Sequence, residues 1–177
     1  MGKYISIFLR YLFLLVIAIP NLYLFYFLLT PLTVYSSYFL FSIFFNPSLA
    51  GNSIIFSNAI IYLIPSCIAG SAYYLLSILN FSTPMPLKKR IFSLVFSFFI
   101  FLITNIFRIF LFSILLVSSF SLFNLTHLIV WYFLSSIIVF LVWLAEIKIF
   151  KIKEIPIYSD LKFLYKKIKY KNQKNSD

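Results

Sequence analysis

The chain has 177 residues, of which 63% are hydrophobic and only 11% charged. A soluble domain is about 45–50% apolar and about 25% charged, so a globule folded in water is excluded and the solvent must be lipid. The formal net charge is +11, yet nine of the fifteen basic residues fall between Lys148 and Lys174. A basic run beside an apolar segment is a juxtamembrane tail that faces the cytoplasm and its anionic lipids, not a groove for nucleic acid. Cys67 is the single cysteine, which rules out an internal disulfide, a multi-cysteine metal site and a CxxC redox pair. No metal or cofactor is expected.

The N-terminus carries Lys3 and Arg10 ahead of an apolar run. That run, Tyr11 to Leu29, is too long for a signal peptide and lacks a small-residue cleavage site, so it reads as a retained first helix. The Met1–Ser6 match to a myristoylation pattern is read as chance.

A bilayer span needs about 20 apolar residues. The first candidate runs from Ile7 to Leu29 with Pro20 as a kink, and Pro31 then breaks the pattern. Thr33 to Phe45 is apolar but short, which suits an interfacial or re-entrant piece or a tilted span. Asn46 to Ser53 reads as a loop. The next apolar stretch, Ile54 to Leu79, is interrupted at Pro65-Ser66-Cys67 and Gly70. A second loop, Phe81 to Pro86, leads into Lys88-Lys89-Arg90. Ile91 to Val117 is the longest apolar run, broken by one charge, Arg108. After a polar turn at Ser118–Asn124, Leu125 to Ile149 forms the last span. No internal repeat is present.

The fold class is therefore all-α: a polytopic transmembrane helix bundle of four to five spans plus a short interfacial or re-entrant helix. Residues 1–150 form the transmembrane domain, and residues 151–177 form a basic, partly disordered cytoplasmic tail. The positive-inside rule places Lys3 with Arg10, Lys88–Arg90 and the tail in the cytoplasm. The Thr30–Ser53 region and the Ser118–Asn124 turn carry no Lys or Arg. Four crossings satisfy every one of these constraints. A fifth, through Thr33–Phe45, would turn the N-terminus outward.

Three residues are reactive or costly in such a setting: Cys67, Arg108 and His127, the only histidine. Counting along their helices from the cytoplasmic ends puts Cys67 roughly 20 Å, Arg108 roughly 25 Å and His127 roughly 30 Å up. All three then lie in the outer half of the membrane. Thiolate is the reactive form of cysteine, and cations or a helix start favour it; Pro65 suits a first helical turn just before Cys67. Arg108 stays protonated and can hold a thiolate or a developing oxyanion. His127 can move a proton near neutral pH. Nucleophile, cation and proton shuttle are the parts of an acyl-transfer site.

An arginine deep in a span costs about 2.5–3.5 kcal/mol even on lenient insertion scales. The four acidic residues, Glu146, Glu154, Asp160 and Asp177, all lie at or beyond the end of the last span. Arg108 must then be paired by an anion, dipoles, water or a thiolate. Asn105, three residues earlier on the same helix face, is a supporting residue that orients Arg108 or donates to an oxyanion, or else makes an interhelical hydrogen bond.

Cys67-Ile68-Ala69-Gly70-Ser71, then Asn105-Ile106-Phe107-Arg108-Ile109, then His127 on the following helix, resembles the exosortase/archaeosortase family. The resemblance implies a membrane cysteine transpeptidase in the plasma membrane, with its site toward the outer face. Its partners would be exported proteins with a C-terminal sorting signal, made of a short motif, a transmembrane helix and a basic tail. It would cleave near the motif and pass the protein to another anchor, a lipid in the archaeal branch. In that scheme Cys67 forms a thioester, Arg108 stabilises thiolate or oxyanion, and His127 protonates the leaving amine and then activates the acceptor. The competing expectation is a non-enzymatic membrane protein, a transporter subunit or scaffold. There Arg108 lines a cavity or binds lipid headgroups, and Cys67 is packing.

Overall fold

A computed structural model describes residues 2–19, 22–56, 59–117, 129 and 133–165. The N-terminal apolar run holds two helices, α1 (Gly2–Ala18) and α2 (Tyr23–Phe44). The chain breaks between them, where Leu22 takes a left-handed backbone with φ 60°. Pro31 lies inside α2 without ending it, as apolar helices of this kind tolerate. The expected span Ile7–Leu29 and the separate piece Thr33–Phe45 are both corrected. The break follows Ala18, and Thr33–Phe44 is the second half of one helix.

The chain is not all-α. Ser48–Ala50 (β1), Ser53–Ile55 (β2) and Ile60–Tyr62 (β3) form an antiparallel sheet in the order β1-β2-β3. Ala50 pairs with Ser53 around a turn in which Gly51 takes φ 59°, a conformation glycine adopts without steric cost. Hydropathy sees Ile54, Ile55, Ile60 and Ile61 only as apolar, but their branched side chains favour a pleated, half-buried surface. The expected helix from Ile54 to Leu79 therefore begins only at Pro65, and the loop expected over Asn46–Ser53 is partly strand.

Pro65 opens a four-residue helix, α3 (Pro65–Ile68), where its fixed φ is suited to the first position. Ala69, at φ 58°, ends α3, and α4 (Gly70–Phe81) restarts the helix at an angle. The side chain missing at Gly70 is a packing requirement, because a Cβ there would meet the Tyr26 ring at 2.9 Å. After the loop to Pro86 come α5 (Leu87–Val117) and α6 (Ser135–Ile149), and a last helix, α7, covers 158–165.

Contacts fix the relative directions. Phe25 meets Phe98 and Phe41 meets Phe110, so α2 and α5 run the same way. Asn80 meets Ser93 near one end of α4 while Asn105 meets Cys67 beyond the other, so α4 and α5 are antiparallel. The core between them is aromatic: the Tyr73 ring stands edge-on to Phe98 and Phe101 at 5.2 and 4.8 Å. A second cluster joins Phe41, Ile54, Leu63 and Ile109 under the sheet.

Among the described residues two helices, Tyr23–Phe44 and Leu87–Leu116, are long and apolar enough to cross a membrane. Only 28% of each apolar window is buried. A helix at the centre of a soluble core would show the reverse, so these apolar side chains point outward.

The segment after α6 is described through residue 165 and includes α7. Arg10 Nη2 donates to both Asp160 carboxylate oxygens at 2.9 and 2.8 Å, and its Nη1 to the Phe81 carbonyl at 3.1 Å. The Tyr11 hydroxyl donates to Asp160 at 3.3 Å, and the Ile157 N–H to the Ser82 carbonyl at 3.2 Å. These bonds pin α7 against the middle of α1 and the C-terminal end of α4.

Candidate active site

Polar side chains in the bundle fall into two levels. In the level nearer α7, Glu146 is 1% exposed and its carboxylate accepts from Asn80 Nδ2 at 2.7 Å and Ser97 Oγ at 2.5 Å. Asn80 also donates to Ser93 Oγ at 2.7 Å. Arg90 is buried beside them, donating to the Asn80 and Thr83 carbonyls at 2.9 Å each. A buried carboxylate persists in an apolar interior when its oxygens are hydrogen-bonded, and here α4 and α5 each supply one donor to the carboxylate on α6.

The other level holds Cys67, Asn105 and Arg108. From Ser97 to Arg108 on α5 is eleven residues (108 − 97), and from Glu146 to Ser135 on α6 is also eleven (146 − 135). Arg108 Nη1 donates to Ser135 Oγ at 2.6 Å. The two levels thus keep one antiparallel register and lie about 16 Å apart. Asn105 is 3% exposed, and its Nδ2 donates to the backbone carbonyl of Cys67 at 2.9 Å. Its Oδ1 is buried without a hydrogen-bond partner among the described residues, an open acceptor beside the cysteine.

Cys67 and Arg108 line one cavity of about 230 Å³, with Ile61 and Leu63 from the sheet side and Ser113 from α5. Cys67 is a half-buried free thiol. The break at Ala69 sets α3 apart from α4 and lets α3 pack against α2 and α5. Arg108 also borders a second cavity of about 340 Å³, whose wall includes Ser66, Ser71, Ser135 and Ser136. No family model, curated protein or solved structure matches the chain.

The structure brings Cys67, Asn105 and Arg108 together. His127 lies outside the described residues. Among the described residues no group of three or more His, Cys, Asp or Glu could hold a metal ion. Sequence reasoning missed Ser135, the residue that orients Arg108. No local signal marks it: Ser135 stands opposite Arg108 because the Ser97–Glu146 contact sets the register of α5 against α6.

Proposed function

We propose that the chain is a membrane-embedded cysteine transpeptidase that cleaves C-terminal sorting signals of exported proteins and transfers them to a lipid anchor. The carrying observation is that Cys67 and Arg108 share one cavity while Asn105 fixes the Cys67 backbone. In the reaction the Cys67 thiolate adds to the scissile carbonyl. The negative charge that develops on the carbonyl oxygen is stabilised by the Arg108 guanidinium, a cation that lines the same cavity. Collapse of the tetrahedral intermediate breaks the C–N bond, and the leaving amine takes a proton from His127. A thioester on Cys67 remains. A nucleophilic group of the acceptor then loses its proton to His127, attacks the thioester carbonyl and releases the thiolate.

We further propose four crossings in the plasma membrane. α1 and α2 together lead outward, α3 with α4 inward, α5 outward and α6 inward. The parallel run of α2 with α5 and the antiparallel run of α4 and α6 against α5 support this path. So does the gathering of Arg10, Lys89 and Arg90 at the end of the bundle where α7 lies. The sheet and the Cys67 level then face outward and the basic tail is cytoplasmic.

The reading is tested by co-expressing the full chain with an exported protein that ends in a transmembrane helix and a basic tail. A hydroxylamine-sensitive adduct of that protein on Cys67, located by mass spectrometry, is expected. Processing of the substrate with no adduct in the wild type and no effect of Cys67→Ala would reject the assignment.

A further inference from the structure

Among the described residues Arg108 borders three hollows, and the third differs in kind from the other two. It is a groove of about 450 Å³ between α5 and α6, lined by Phe107, Leu111, Leu115, Leu134 and Ile138 among others. Among the described residues Arg108 is the only charged side chain along it. Thr104, the other polar lining residue, turns its hydroxyl back to the Ile100 and Phe101 carbonyls. Phe107, Leu111 and Leu134 are exposed large apolar side chains, so the groove opens on the lipid-facing surface. On its far side the guanidinium meets the serine-walled cavity.

We infer that this junction binds one phosphate-bearing anionic lipid, with the phosphate at Arg108 on the serine side and an acyl chain in the α5–α6 groove. Three observations carry it. Arg108 has five N–H donors, and among the described residues Ser135 is its one hydrogen-bond acceptor, through Nη1. No salt bridge to it exists among the described residues. An arginine at this depth is stabilised by an oxyanion, which its planar fork binds through two parallel bonds. A polar cavity and an apolar groove that meet at one cation match an amphiphile: a soluble anion would leave the groove unused, and a neutral lipid would leave the charge unpaired. The inference does not depend on Cys67 acting as a nucleophile.

The test is native mass spectrometry of the full-length protein released from bilayers of equal parts phosphatidylglycerol and phosphatidylcholine. The wild type is expected to retain one phosphatidylglycerol molecule in preference. Arg108→Gln lowers that retention about tenfold or more, the size of losing a charge-assisted hydrogen bond. Leu111→Trp, which fills the groove from an exposed position, lowers it as well, and Lys89→Gln at the opposite end of α5 does not. Inorganic phosphate at millimolar concentration leaves the lipid in place. Retention unchanged in both Arg108→Gln and Leu111→Trp would overturn the inference. So would displacement by inorganic phosphate together with indifference to Leu111→Trp, which would make the site one for a free anion. If Arg108→Gln does not insert, Leu111→Trp and the phosphate competition decide it alone.

Discussion

Asn105 and Cys67 are joined across 38 residues of chain by one hydrogen bond, from the Asn105 amide to the Cys67 carbonyl at 2.9 Å. It ties the short helix that carries the thiol to the long helix that carries Arg108, one turn further on. The position of the sulfur relative to the guanidinium therefore depends on a side chain that does not itself react.

Asn105→Ala removes the donor and leaves a carbonyl unpaired beside a buried position. The expected cost is about 1–3 kcal/mol, read as a lower melting temperature in detergent. Processing of a sorting-signal substrate should fall as well, because α3 loses its tie to α5. A variant as stable and as active as the wild type would show that α3 is held by its apolar contacts alone.

Glu146→Ala leaves Asn80 and Ser97 without their shared acceptor in a buried setting. It should destabilise by about 1–3 kcal/mol, whereas Glu146→Gln, which keeps an acceptor oxygen, should cost less. Equal effects of the two substitutions on the melting temperature would contradict the network as described.

Gly70→Ala drives a methyl group against the Tyr26 ring and should cost about 1–3 kcal/mol by overpacking. Tyr26→Leu in the same chain should recover part of that loss, which a double-mutant cycle measures. Strict additivity of the two would place the strain elsewhere.

Asp160→Ala removes the bidentate partner of Arg10, a pair whose side chains are 12% and 3% exposed. The helix α7 should detach from α1, and trypsin should cleave at Lys162 faster than in the wild type. Arg10→Ala should do the same. Unchanged cleavage in both would mean that the Ile157–Ser82 backbone bond and apolar contacts suffice.

The positions legible in the sequence are those where a polar residue interrupts an apolar run. Asn105 and Arg108 stand out for that reason, and counting along the helices put Cys67 at a similar height. In the N-terminal run sequence reasoning put the break at Pro31, yet Pro31 sits inside a continuous helix and α1 ends at Ala18. That depends on which neighbours pack around the proline. The sheet was hidden because hydropathy ignores branching at Cβ. The docking of α7 was hidden because Arg10 and Asp160 are 150 residues apart, and a lone pair at that separation carries no local pattern. Ser135 was overlooked as an ordinary serine in a span, although its register against Glu146 set it opposite Arg108.

The most direct test of the central claim is substrate processing in cells that carry Cys67→Ala, with an exported protein bearing a C-terminal sorting helix and a basic tail. The account predicts that the processed form disappears while the variant still inserts in the membrane at wild-type levels. Normal processing by the inserted variant would contradict it and remove Cys67 as the nucleophile.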